Sequence, residues 1–110
     1  MAQIMKIAFP IDGENINSVV VEHFGRAKNF LVYDMASGSY KVYENPESAG
    51  KGTLPPNFLH QKDVEAVACF GLGHRAVELL NELTIEMYKA IPGTVEENVE
   101  QFKKGYLVHF

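Results

Sequence analysis

Hydrophobic residues occur along the chain in short runs that polar or turn-forming segments separate. The runs are rich in β-branched and aromatic residues, which favour strands. The fourth run, Val-Glu-Ala-Val-Ala-Cys-Phe, is almost continuous, as is typical of a strand covered on both faces of a sheet. Residues 36–39, Ala-Ser-Gly-Ser, fit a hairpin between the second and third runs. Five strands are therefore predicted, at residues 5–10, 30–35, 40–43, 64–70 and 85–91.

A different spacing predicts helices in the second half of the chain. Apolar residues from Ala76 to Leu83 recur at positions i, i+3, i+4 and i+7, which places them on one helix face. A later helix is expected to begin at a capping box, Thr94-Val-Glu-Glu97, and to stop at Gly105. Two adjacent prolines at 55 and 56 suit the first turn of a shorter helix, where a missing N–H group costs little.

The order of these elements predicts an α/β fold. Crossover connections between parallel strands are right-handed, so the helices lie on the faces of one mixed sheet. The first strand is then central, between the second and the fourth. From the length of 110 residues, we expect a single domain over residues 1–110. The last five residues leave a short added strand and a frayed end both open.

The strand directions bring several loops to one edge of the sheet, at the carboxyl ends of its parallel strands. Open α/β sheets bind ligands at that edge. Glycines and two helix N-termini also converge there, and free N–H groups at such termini favour an anion. We therefore expect an electropositive site at this edge. Its basic residues are predicted to be His23, Arg26, Lys51, His74 and Arg75.

The composition excludes several classes of function. Fourteen acidic against ten basic residues give a net charge of −4, which argues against nucleic acid or an acidic membrane surface as a partner. A lone cysteine cannot form an intrachain disulfide or a cysteine-rich zinc site. The early apolar run is too short for a signal core or a membrane span, because Pro10 interrupts it. We expect a cytoplasmic protein.

Several motifs along the chain together match one family. They are Met5-Lys-Ile-Ala, His23-Phe-Gly-Arg-Ala27, Asn45-Pro46, Gly71-Leu-Gly-His-Arg-Ala76 and Gly93-Thr-Val-Glu-Glu97. In their order and spacing the sequence resembles the dinitrogenase iron-molybdenum cofactor biosynthesis family, the NifX and NifB C-terminal-like domains. At the position of His74, relatives often have proline.

The resemblance implies a three-layer ribonuclease H-like fold, with about three helices and strand order 3-2-1-4-5. It also implies binding or carrying of iron-sulfur or iron-molybdenum-sulfur precursor clusters, with cluster donor and acceptor proteins as partners. The candidate cofactor-binding residues are His23, Phe24, Gly25, Arg26, Gly71, Gly73, His74 and Arg75.

His23, Cys69 and His74 are the candidate metal ligands. A neutral imidazole is a good ligand for iron, and a charged one donates hydrogen bonds to sulfide. His23 fits equally a loop histidine that satisfies backbone groups. Thiolates are the usual iron-sulfur ligands, although a lone cysteine on an apolar strand is more often a core residue. His74 fits an exposed side chain in the first turn of its helix.

The leading functional hypothesis is a carrier or scaffold for a metallocluster, without catalysis. A small anion-binding or regulatory module without a cluster is the alternative, and its histidines would only form hydrogen bonds. A nuclease would need paired carboxylates around two metal ions, and the first strand contains no acidic residue. We therefore expect that the protein is not an enzyme.

Overall fold

The computed structural model describes residues 4–47, 50 and 52–110. Strands run over β1 (Lys6–Ile11), β2 (Asn29–Asp34), β3 (Tyr40–Glu44), β4 (Ala66–Cys69) and β5 (Glu86–Lys89). The helices are α1 (Pro55–Gln61), α2 (His74–Glu82) and α3 (Val95–Lys103). Each strand begins and ends within two residues of its predicted bounds. Within the described residues, no helix has both the length and the apolar character needed to cross a bilayer.

The five strands form one mixed sheet in the order β3-β2-β1-β4-β5. Antiparallel pairing joins β1 to β2 and β2 to β3, while β1, β4 and β5 are parallel. This confirms the α/β class, the central position of the first strand and the predicted order. The hairpin between β2 and β3 has Gly38 at φ 75°, in the left-handed region that glycine adopts at little cost. The ribonuclease H-like classification stays a prediction.

The central strand sends alternate side chains to opposite faces of the sheet. Ile7 and Phe9 pack in one apolar cluster with Val99 of α3. Ala8 packs in the other cluster with Leu80 of α2, and α1 contributes to that same side. The molecule thus has three layers, with α3 below the sheet and α1 and α2 above it.

The connection from β5 into α3 is held by polar side chains. Thr94 Oγ1 accepts a hydrogen bond from the Glu97 N–H at 3.1 Å, and Glu97 Oε1 accepts one from the Thr94 N–H at 2.9 Å. This confirms the predicted capping box. Asn98 is fully buried, and its Nδ2 donates to the carbonyls of Ile91 and Thr94 at 3.0 and 2.9 Å. Its Oδ1 accepts from the Ile91 N–H at 2.9 Å.

The C-terminal residues pair with β5. The Lys89 N–H donates to the Val108 carbonyl at 2.7 Å, and the Phe110 N–H donates to the Met87 carbonyl at 3.1 Å. Leu107 is buried against the α3 side of the sheet. Of the two alternatives that the sequence left open, the structure therefore shows a short strand-like pairing.

We expect Asn98→Leu to lower the free energy of unfolding by about 1–3 kcal/mol, because the part-buried N–H and carbonyl of Ile91 would lose their hydrogen-bond partners. Urea unfolding followed by circular dichroism measures the change. Asn81→Leu, on the exposed surface of α2, is the control and should stay within about 0.5 kcal/mol. Equal effects of the two substitutions would contradict the bracing role of Asn98.

Candidate functional site

A backbone bridge joins two distant segments at the carboxyl edge of the parallel strands. His23, in the segment after β1, pairs in parallel with Gly71, which follows β4. The Glu22 carbonyl lies 3.6 Å from the point where a Cβ on Gly71 would be, so the two backbones are in van der Waals contact. The strand directions therefore bring His23 against the Gly71 loop, as expected.

The segment after His23 forms a single 3₁₀ turn, Phe24–Arg26, closed by a hydrogen bond from the Arg26 N–H to the His23 carbonyl at 3.2 Å. Phe24 is only 2% exposed, and its ring centroid lies 5.1 Å from that of Phe30. His23, Gly25 and Arg26 are exposed. Phe24 therefore anchors the turn in the core, and its neighbours face solvent.

Asn45 supports this turn from below, a contact that sequence reasoning missed. Its buried side chain donates from Nδ2 to the carbonyls of Gly25 and Ala27 at 3.2 and 2.9 Å. Oδ1 accepts from the Glu47 N–H at 3.0 Å. The only sequence signal was an asparagine placed directly after β3 and before a proline.

Two grooves adjoin the bridge, and both are lined by His23 and Gly71. The first encloses about 410 Å³, and Gly25, Arg26 and Gly73 also line it. The second encloses about 790 Å³ and has a mainly apolar lining that includes residues 19–21. Phe24 lines the first groove as well, so six of the eight predicted binding residues share it.

His74 and Arg75 begin α2 beside that groove, without lining it. No side chain caps this helix N-terminus, whose N-cap residue is Gly73. The His74 side chain is 91% exposed, and its Nε2 lies 2.7 Å from Oε1 of Glu78, one turn along the same helix. The role of His74 as a ligand stays a prediction.

The N-terminus of α3 differs from the expectation. Its first N–H groups already have acceptors: Val95 donates to the Ser18 carbonyl at 2.9 Å and Glu96 to the Ile16 carbonyl at 3.0 Å. The Glu97 carboxylate occupies the dipole end in the capping box. The prediction of two open helix N-termini is therefore wrong for α3, because residues 16–18 fold back onto it.

The edge also carries more negative charge than the sequence suggested. Glu22 lines the apolar groove, and Glu78 pairs with His74. An oxygen of Glu47 lies 4.0 Å from the Cβ position of Gly25. Lys51, one of the predicted basic residues, lies outside the described residues. The described part of the edge is thus mixed in charge, with Arg26 and Arg75 as its exposed guanidinium groups.

Cys69 is fully buried in the apolar cluster above the sheet. Burial raises the pKa of its thiol to about 12, so the sulfur is neutral at physiological pH. Within the described residues, no group of three His, Cys, Asp or Glu side chains is arranged to hold a metal ion. A metal held at the described edge would therefore depend on few protein ligands.

A family model described as dinitrogenase iron-molybdenum cofactor matches residues 5–105. The chain belongs to this family. That confirms the resemblance carried by the motifs, and the match spans all the elements of the sheet and its helices.

The relatives are similar to this chain in length, and the solved structures among them share its fold. A candidate NifB protein from Thermotoga, solved by NMR, is 32% identical, with a TM-score of 0.83 over 96% of this chain and 93% of the other. An uncharacterized protein of Methanocaldococcus jannaschii is 29% identical over 114 residues, which cover 98% of this chain and 93% of that protein. The apo orange protein of Desulfovibrio gigas is similar in fold alone, at 21% identity and a TM-score of 0.87 over 100% and 96% of the two chains.

We expect Asn45→Ala to lower the free energy of unfolding by about 1–3 kcal/mol, since the carbonyls of Gly25 and Ala27 lose a buried donor. Amide hydrogen exchange should accelerate in the turn at residues 24–27. Asn57→Ala in α1 is the control, with little change expected in either measurement. Unchanged exchange in the turn of Asn45→Ala would contradict this support.

Cys69 should react slowly with iodoacetamide at pH 8 in the native protein, because the thiolate is the reactive form and the pKa of this thiol is about 12. In denaturant the pKa returns toward 9.0 and the reaction should become fast. Mass spectrometry of timed samples measures both rates. Rapid labelling of the native chain would show that the thiol reaches solvent.

Proposed function

We propose that this family member binds and carries an iron-sulfur or iron-molybdenum-sulfur precursor cluster as cargo, without catalysing a reaction on it. The observation that carries the proposal is the pairing of His23 with Gly71. Through it, an exposed imidazole, the Arg26 guanidinium and the glycine-rich loop before α2 surround one open groove. Membership of the dinitrogenase iron-molybdenum cofactor family supports the same function.

The chemistry of the donor groups fits such a cargo. His23 offers a nitrogen ligand to iron, and the Arg26 guanidinium and the uncapped α2 N-terminus favour the negative charge of a sulfide-containing cluster. His74 would serve as a second ligand after its imidazole leaves Glu78. Cys69 is not used in this proposal, because its neutral thiol is buried.

A small number of protein ligands suits transfer. With one or two imidazoles bound, most metal positions of a cluster would remain open to the ligands of a second protein. Metallocluster donor and acceptor proteins are therefore part of the proposal, as is a cytoplasmic location. Direct exchange would require the cargo to lie at an accessible surface, and the groove beside His23 opens at the edge of the sheet.

One observation favours the alternative of a small anion-binding or regulatory module. No side chain caps α2, and Arg26 and Arg75 are both exposed near its start. An anion held there would need no metal, and His23 would act only as a hydrogen-bond donor or acceptor. The two functions differ in whether iron and sulfide are retained.

We expect His23→Ala to lower metal affinity by about tenfold or more while leaving the melting temperature unchanged, because an exposed loop imidazole contributes little to core burial. The protein is purified anaerobically and reconstituted with iron and sulfide, and metal content and the visible absorption spectrum are measured. His60→Ala is the control: His60 is an exposed histidine of α1 at the opposite edge of the sheet, and both measurements should match the unaltered protein.

Two results would count against the proposal. A colourless, metal-free protein after reconstitution would favour the anion-binding module. A lower melting temperature of His23→Ala with unchanged metal content would show that the imidazole is a structural brace.

A further inference from the structure

A polar cavity, separate from the two grooves beside His23, lies on the face covered by α1 and α2. It is at the edge of the sheet opposite His23. It encloses about 140 Å³, several times the space that one water molecule needs. Lys6 from the start of β1, Lys41 from β3 and Lys62 after α1 all line it. None of these residues belongs to the groove proposed for the cluster.

The strand register explains why the first two lysines meet. Lys6 lies opposite Asp34 in the β1–β2 pair, and Lys41 lies opposite Val32 in the β2–β3 pair. Directly paired residues share a face, and so do residues two apart on a strand. All four side chains therefore project from the same face, on which Val32 belongs to the cluster above the sheet.

The third lysine is held in place by aromatic rings. Lys62 Nζ lies 4.9 Å from the ring centroid of Tyr43 and 5.5 Å from that of Phe58. The two rings pack edge to face with centroids 5.7 Å apart. This arrangement fixes a positive charge at the wall of the cavity through cation–π contacts.

The three lysines of this cavity form no ion pairs with carboxylates of the described residues. Within the described residues, no ion pair within 4.0 Å involves any of the three lysines. Asp34 is the acidic residue of the lining, and its Oδ1 accepts from the N–H groups of Ala36 and Ser37 at 2.9 and 3.3 Å. Three lysines and one aspartate leave a formal charge of +2 around the cavity, on a chain whose net charge is −4.

We propose that this cavity binds a small anion that carries a phosphate group. A phosphate group has a charge near −2 at neutral pH, which matches the local charge of the lining. Lysine ammonium groups bind phosphate as point charges, without the planar geometry that arginine imposes. Tyr43 lies two residues from Lys41 on β3 and shares its face of the sheet. Its hydroxyl has no hydrogen-bond partner in the described part of the chain, so it can donate to a phosphate oxygen.

The probes are inorganic phosphate, pyrophosphate and glycerol phosphate, added to the metal-free protein at low salt. Two-dimensional NMR of backbone amides locates the binding, and isothermal titration calorimetry measures its affinity. We expect shifts at residues 39–43 and at Lys62, and weaker binding as salt is added. Glycerol phosphate tests for a phosphorylated metabolite, and the two inorganic probes test for a free oxyanion.

Lys41→Gln should weaken binding by about tenfold, because one exposed charge is lost and no core residue changes. Lys104→Gln is the control: it removes the same charge just after α3, on the other side of the sheet, and the affinity should be unchanged. Lys6→Gln gives an independent test from β1.

The proposal is overturned if none of the three probes binds, or if Lys41→Gln and Lys104→Gln weaken binding equally. Shifts confined to the start of α2 would also overturn it, because the anion would then bind at the edge that carries His23. Failure of cluster binding at His23 leaves this test unaffected, because the two sites share no residue.

Discussion

β1 pairs with an antiparallel neighbour on one side and a parallel neighbour on the other, and the rest of the structure depends on this mixed pairing. Because β4 runs parallel to β1, the segments that follow both strands reach the same edge. His23 can therefore pair with Gly71 although the two residues are far apart in sequence. Had β4 run the other way, the glycine loop before α2 and the His23 turn would lie at opposite ends of the sheet. The pairing on which the candidate site depends is thus a consequence of strand direction.

Some side chains at this edge are buried in the core, and others are exposed to solvent. Phe24 and Cys69 belong to the apolar cluster above the sheet, and they stabilise the turn and strand that carry their neighbours. His23 and Arg26 are exposed, so they could contact a metal or an anion without any opening of the core. A cysteine ligand in the same place would have to leave a buried position. Exposed imidazole nitrogen is therefore the donor that this fold offers with the least rearrangement.

Much of the fold could be predicted from the sequence because its signals are local. The strand runs and the capping box at Thr94 depend on periodicity and on residues three positions apart. The site could be predicted only in part. Nothing in the pattern indicated that the backbone of residues 16–18 would satisfy the N-terminus of α3, or that Asn45 would bond to the carbonyls around Arg26. Such contacts join loop residues across long stretches of chain, and loops have no period that reveals them.

The pairing of the C-terminal residues with β5 bears on the tendency of the protein to aggregate. The outermost strand of a sheet presents unpaired N–H and carbonyl groups, which can recruit a strand from another molecule and begin aggregation. Here residues 108 and 110 occupy hydrogen-bonding positions along β5, and His109 holds them there through contacts with Tyr88 and Glu86. These residues therefore cover the outer edge of β5, which is then not available as a template for intermolecular assembly.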